Sequence, residues 1–148
     1  MAVDVALYPR DFDSAEELSR FAGKHPGAGG LASFVGQVRD DGDTKALELQ
    51  HYAPLTEAGI TALAEKLIQR FELAGILVRH RTGTVQLRKP VVLVAAAAAH
   101  RREAFEAVDC MMDHLKSAAW FWKREQRGGN WQWIAPTVRD HADLDRWK

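Results

Sequence analysis

A chain of 148 residues, 47% hydrophobic and 27% charged, suits one compact domain over residues 1–148, with little protein to spare for enclosing a substrate unaided. Its 20 basic and 20 acidic residues cancel, so no whole-molecule field draws it to nucleic acid or an anionic membrane, and any anion site must be a local cluster. The lone cysteine, Cys110, excludes an internal disulfide and a multi-cysteine zinc or iron–sulfur site.

The first residues carry Asp4 within their apolar run and no basic leader. The longest apolar run, Val91 to Ala99, is about half a membrane span, so a cytoplasmic protein is expected. Val3 to Tyr8 alternates as a strand that Pro9 interrupts. Ser14 then opens a helix on a capping-box pattern, with Glu17 reaching back to its amide and Leu18, Phe21 and Ala22 as the apolar stripe. Gly27 to Gly30 lead flexibly into a strand from Leu31 to Arg39. After the turn Asp40-Asp41-Gly42-Asp43, Ala46 to Tyr52 returns, and the pair reads as an antiparallel hairpin.

Thr56 caps a long helix carrying Ile60, Leu63, Ala64, Leu67, Ile68 and Phe71, which Gly75 stops. Strands follow at Ile76 to Thr82, Thr84 to Leu87 and Val91 to Ala98, then a helix from about Arg101 to Ser117. Phe105, Val108, Met112 and Leu115 form its core face, and Cys110 beside them reads as packing rather than as a nucleophile. After Trp120 to Glu125 come a turn at Gly128-Gly129-Asn130 and a short strand holding Trp131 and Trp133. The order is α+β: mainly antiparallel strands, with two or three helices packed to one side.

Two segments carry chemistry. His100-Arg101-Arg102 places cations where a helix starts, against the dipole but beside amides that bind phosphate or carboxylate; solvated arginines remain the alternative. Lys116 and Lys123 flank Trp120, Phe121 and Trp122, a setting in which one ammonium can be desolvated into a proton donor or acceptor near neutrality, or in which both simply lie on the surface. Arg39 at a strand end is a third anion contact. His51, His80, His100, His114 and His141 lack metal-ligand spacing, and Gly27 to Gly30 lacks the Lys-Ser/Thr of a phosphate loop, so neither metal nor cofactor is expected.

Taken together, Ala32-Ser33-Phe34-Val35-Gly36-Gln37-Val38-Arg39-Asp40, Leu47-Glu48-Leu49-Gln50-His51-Tyr52, His80-Arg81-Thr82-Gly83, Ala99-His100-Arg101-Arg102-Glu103-Ala104-Phe105, Leu115-Lys116 and Phe121-Trp122-Lys123-Arg124-Glu125 resemble, in order and spacing, the molybdopterin synthase catalytic (large) subunit family. The resemblance implies an α/β hammerhead-type fold, mainly antiparallel sheet with two long helices and an additional small β subdomain. It also implies a homodimer and a small ubiquitin-like sulfur-carrier subunit with a C-terminal Gly-Gly thiocarboxylate. Its activity would be that of a sulfurtransferase of molybdenum cofactor biosynthesis, acting on cyclic pyranopterin monophosphate to form the molybdopterin dithiolene.

Carried over by position, Lys116 and Lys123 are catalytic and substrate-binding. Arg124 and Glu125 follow in the same pocket segment, Phe34, Gln37, Val38 and Arg39 wall the pterin and phosphate, and His100 with Arg101 bind the anion. Arg101 and Lys116 lie 15 positions apart on one helix, about 22 Å, too far for one pterin. Each pocket is therefore expected to be shared between two copies of the chain. The chain departs from the family at Trp120, where proline is common, at Tyr52-Ala53-Pro54-Leu55, and at Arg88-Lys89-Pro90 in place of a Gly-Asp/Glu turn; Arg139 is the candidate for the arginine that reaches a neighbouring pocket. Rival readings are a noncatalytic adaptor for a ubiquitin-like tail and a small-anion or RNA-binding module, which zero net charge disfavours. Ending in Arg146-Trp147-Lys148 rather than Gly-Gly, the chain is not expected to be the sulfur carrier itself.

Overall fold

The computed structural model describes residues 2–117 and 120–148. Its elements are β1 (Val3–Tyr8), α1 (Ser14–Lys24), β2 (Gly30–Gln37), β3 (Thr44–His51), α2 (Ala53–Arg70), β4 (Leu73–Arg81), β5 (Gly83–Gln86), β6 (Pro90–Ala98), α3 (Arg101–Ser117), β7 (Phe121–Arg127), β8 (Asn130–Ile134) and α4 (Val138–Asp145). They form two four-stranded sheets, ordered β1-β4-β6-β2 and β5-β3-β7-β8, and among the described residues only the β1–β4 pair is parallel. The α+β reading thus holds, but β2 and β3 are not a hairpin: each belongs to a different sheet. The chain leaves the first sheet through an irregularity at Gly36/Gln37, and Val38 then bonds Arg88 and Lys89 instead of a β3 residue.

The first sheet is covered on both faces, not one. Ile76, Val78, Val94 and Ala96 meet Ile60, Ala64 and Leu67 of α2 and Ala104, Ala107, Cys110 and Met111 of α3. The residues between them, Leu77, Leu93, Ala95 and Ala97, point the other way, onto Phe21 of α1. Two-sided burial is why β6 reads as an unbroken apolar run and why β4 is apolar from Leu73 to Val78. Gly83, at φ +77°, carries the chain from β4 of the first sheet into β5 of the second.

Local signals were overridden where a distant partner offered more. The α1 cap is Asp13, whose carboxylate accepts from the Glu16 amide. Glu17 is buried instead, accepting from Arg79 at 3.0 Å and from the Tyr8 hydroxyl at 3.0 Å, while Asp4 pairs with the same guanidinium at 2.9 Å. Helix α2 starts before Thr56, at Ala53, with proline in its first turn; the Thr56 hydroxyl donates to the carbonyls of Tyr52 and Trp120. That helix ends at Arg70, and Gly75 lies inside β4. On α3, Phe105 is 62% exposed, and Ala104, Ala107 and Met111 take the core face with Val108 and Leu115. Gly29 and Gly30 serve contact rather than flexibility: a Cβ at Gly29 would fall 2.2 Å from the Ala99 carbonyl oxygen.

Beyond the second sheet, α4 and the last residues fold back onto α3. Asp113 accepts from Arg146 and from the Trp147 indole, each at 2.6 Å, and the Ser117 hydroxyl donates to the Asp140 carbonyl at 2.8 Å. No described helix is long and apolar enough to cross a membrane. The buried Arg79 cluster gives a stability test: Arg79→Met should lose about 3 kcal/mol in urea unfolding by stranding Glu17, and Arg79→Met with Glu17→Met should recover most of it. Equal losses in both would mean that the pair carries none of the effect.

Candidate active site

The side chains of β7 alternate across its sheet. Phe121 and Lys123 face a cavity of about 920 Å³. Arg124 does not line it; its guanidinium holds both oxygens of Glu48, at 2.8 and 3.0 Å, with the Trp131 ring 4.6 Å away. The cavity lies where the two sheets, α3 and α4 converge. Phe34, Gln37, Arg39 and Asp40 come from β2 and its exit, His80 from β4, Arg88 from the turn after β5, Lys116 from α3, and Thr137 and Asp140 from the start of α4.

Burial pushes the Lys123 ammonium down to about 8; the like charge of Lys116 adds to the shift, and the Asp140 carboxylate opposes it. Lys116 itself is exposed in the last turn of α3, where the helix dipole favours a cation. His80 is buried under Phe121, rings 3.9 Å apart and 14° from parallel. Its Nδ1 lies 2.8 Å from the Arg81 carbonyl oxygen, a contact that needs a hydrogen on Nδ1 and leaves Nε2 as an acceptor. Burial holds this imidazole down to about 3, against the pull of that carbonyl and aided by the charges of Lys123 and Lys116, so it is neutral at physiological pH. Asp140 is fixed by a capping box: its carboxylate accepts from the Thr137 amide at 2.8 Å, and its amide donates to the Thr137 hydroxyl at 3.1 Å.

Known proteins of this shape carry related names. Residues 7–118 match the sequence model of the family described as MoaE protein. A molybdopterin synthase catalytic subunit from Cereibacter sphaeroides is 43% identical, the match covering 97% of this chain and 99% of that one. This chain belongs to the MoaE family. Molybdopterin cofactor biosynthesis protein E from Burkholderia multivorans superposes with a TM-score of 0.84 at 35% identity, over 99% of this chain and 97% of the other. A Helicobacter pylori chain, solved in a protein–protein complex of subunits 1 and 2 of molybdopterin-converting factor, shares the fold with a TM-score of 0.69 at 20% identity, over 94% and 92% of the two chains.

Of the positions that the MoaE resemblance singles out, Phe34, Gln37, Arg39, Lys116 and Lys123 are brought together around the cavity. Five others are not. Val38 is buried with Leu49, Val85 and Val91, and only its backbone serves the site, by holding the Arg88 turn. Arg124 is committed to Glu48, and Glu125 accepts from Arg127 at 2.7 Å. His100 and Arg101 are exposed at the opposite end of α3 from Lys116, away from this cavity. Arg139 lines a neighbouring depression that shares Phe34, Met112, Lys116 and Asp140 with the main one. Sequence reasoning passed over His80, Thr137 and Asp140 as members of the site, although Thr-x-x-Asp is a legible helix start.

The electrostatic arrangement is testable by NMR titration of the lysine side chains. Lys116→Ala removes a like charge and should raise the Lys123 midpoint above about 8, whereas Asp140→Asn should lower it, each on the order of half a unit. Identical midpoints in all three proteins would leave burial as the sole cause.

Proposed function

We propose that the whole chain, 1–148, is one catalytic domain of a cytoplasmic molybdopterin synthase. It transfers sulfur from the C-terminal thiocarboxylate of a small ubiquitin-like subunit to cyclic pyranopterin monophosphate. The observation that carries this reading is the pairing of a desolvated ammonium, Lys123, with a second ammonium, Lys116, in a cavity large enough for a pterin. The name of the Helicobacter pylori complex, of subunits 1 and 2, supports a second subunit.

In the first step the thiocarboxylate sulfur forms a bond to a pterin side-chain carbon while the carbon–oxygen bond breaks. Lys123, whose proton is easily given up near neutrality, protonates the departing oxygen. Water then adds to the acyl carbon of the resulting thioester, and the Lys116 ammonium stabilises the tetrahedral oxyanion. Collapse returns the carrier as a carboxylate and leaves the sulfur on the pterin as a thiolate; a second transfer completes the dithiolene. His80, neutral with Nε2 free of a proton, is suited to accept a hydrogen bond, not to take up a proton and carry charge.

His100 and Arg101 complete this chemistry from a second copy of the chain, because α3 holds them away from the cavity that Lys116 lines. Incubating the protein with a thiocarboxylated small subunit and the cyclic pterin should give molybdopterin by mass analysis. Lys116→Ala and Lys123→Ala should each lower the rate by about a hundredfold or more with carrier binding retained. Absence of product from the unaltered protein would sink the reading. Mixed dimers of Lys116→Ala and Arg101→Ala chains should regain activity, and verified mixed dimers without any would remove the shared pocket.

A further inference from the structure

Two described residues other than glycine have left-handed backbones, Glu72 at φ 52° and Arg88 at φ 65°. Glu72 follows the last turn of α2, where such a residue commonly ends a helix. No helix explains Arg88. It is the third residue of a turn closed by the Lys89 amide on the Gln86 carbonyl at 3.2 Å, a position that asks for glycine or asparagine when φ is positive. The turn cannot relax by sliding, because the Arg88 amide donates to the Val38 carbonyl at 2.8 Å and the Val38 amide donates to the Lys89 carbonyl at 3.1 Å.

What the strained turn achieves is placement. It lays Arg88 against the exit of β2, so that Arg88, Arg39 and Asp40 line the cavity together with its other charged members, Lys116, Lys123 and Asp140. Arg88 is parked 3.6 Å from the Asp40 carboxylate, too long for a hydrogen bond, and its side chain stays 74% exposed. Two guanidiniums and one carboxylate leave this part of the lining with a net positive charge. Backbone strain held by a surrounding network, at a cavity, points to function.

We propose that Arg88 is a substrate-binding residue whose guanidinium, together with that of Arg39, takes the phosphate of the substrate in the cavity that the reacting lysines also line. This rests on the synthase reading for the identity of the substrate. A planar guanidinium can offer two parallel N–H donors to phosphate oxygens, a stronger contact than the long one it keeps with Asp40.

Arg88→Gly removes the guanidinium and suits the turn, so its unfolding temperature should be unchanged or higher. Its KM for the cyclic pterin phosphate should rise about tenfold with kcat kept, and its affinity for inorganic phosphate, followed by NMR titration of the chain alone, should fall by about the same factor. Arg88→Lys should be intermediate, and Asp40→Asn should bind phosphate more tightly than the unaltered protein. Unchanged phosphate affinity in Arg88→Gly, or a loss confined to kcat, would overturn the proposal. If the unaltered protein makes no product, the synthase reading falls and the phosphate titration alone decides the role of Arg88.

Discussion

Two ammonium groups in one cavity repel each other, and the buried one also loses its hydration; the rest of the site is arranged around that conflict. Lys123 cannot swing out, because its strand is paired on both sides, opposite Leu49 of β3 and Ile134 of β8. The counter-charge nearest to hand is Asp140, and its position depends on a chain of contacts. The Ser117 hydroxyl fastens α4 to the end of α3, and Asp113 draws Arg146 and Trp147 back onto the same helix. The C-terminal segment, which buries no residue of α4, therefore bears on the Lys123 charge through one carboxylate.

The same conflict extends to the whole cavity. Its lining joins the two ammonium groups to the guanidiniums of Arg39 and Arg88, with apolar walls from Phe34, Met112, Leu115 and Phe121. An anionic ligand relieves the repulsion among these cations, which favours its binding. Holding His80 neutral fits this scheme. A third cation beneath Phe121 would add to the repulsion, and burial keeps the imidazole from becoming one.

Periodicity and composition were enough to place α3, β1 and the apolar strands, because those elements follow the rule that one spacing buries one face. They were also enough to single out Lys116 and Lys123, since two cations around three aromatics is a local oddity. What failed was choosing between a near partner and a far one. Glu17 has the spacing of a helix cap, but Arg79, 62 residues along the chain, needed its charge inside the fold. Two alternating segments around Asp-Gly have the form of a hairpin, but β2 finds its partner in β6, where apolar residues meet, and β3 in β7, where Glu48 meets Arg124. His80 and Asp140 entered the site through a stacking contact and a helix cap, neither of which leaves a periodic trace.

Helix α3 then sets a limit on what one copy of the chain can do. Its C-terminal end carries Lys116, where the dipole welcomes a cation; its N-terminal end carries Arg101 and Arg102 beside His100, where the dipole does not. Nothing within the same cavity compensates for that second placement, since none of the three lines it. A cationic cluster that weakens its own helix and serves no local site is what an anion pocket completed by another copy would require. The departures at Arg88 and at the start of α3 are alike in this respect: each gives up local comfort, one in backbone conformation and one in electrostatics, and such breaks of a local rule are expected where function compensates.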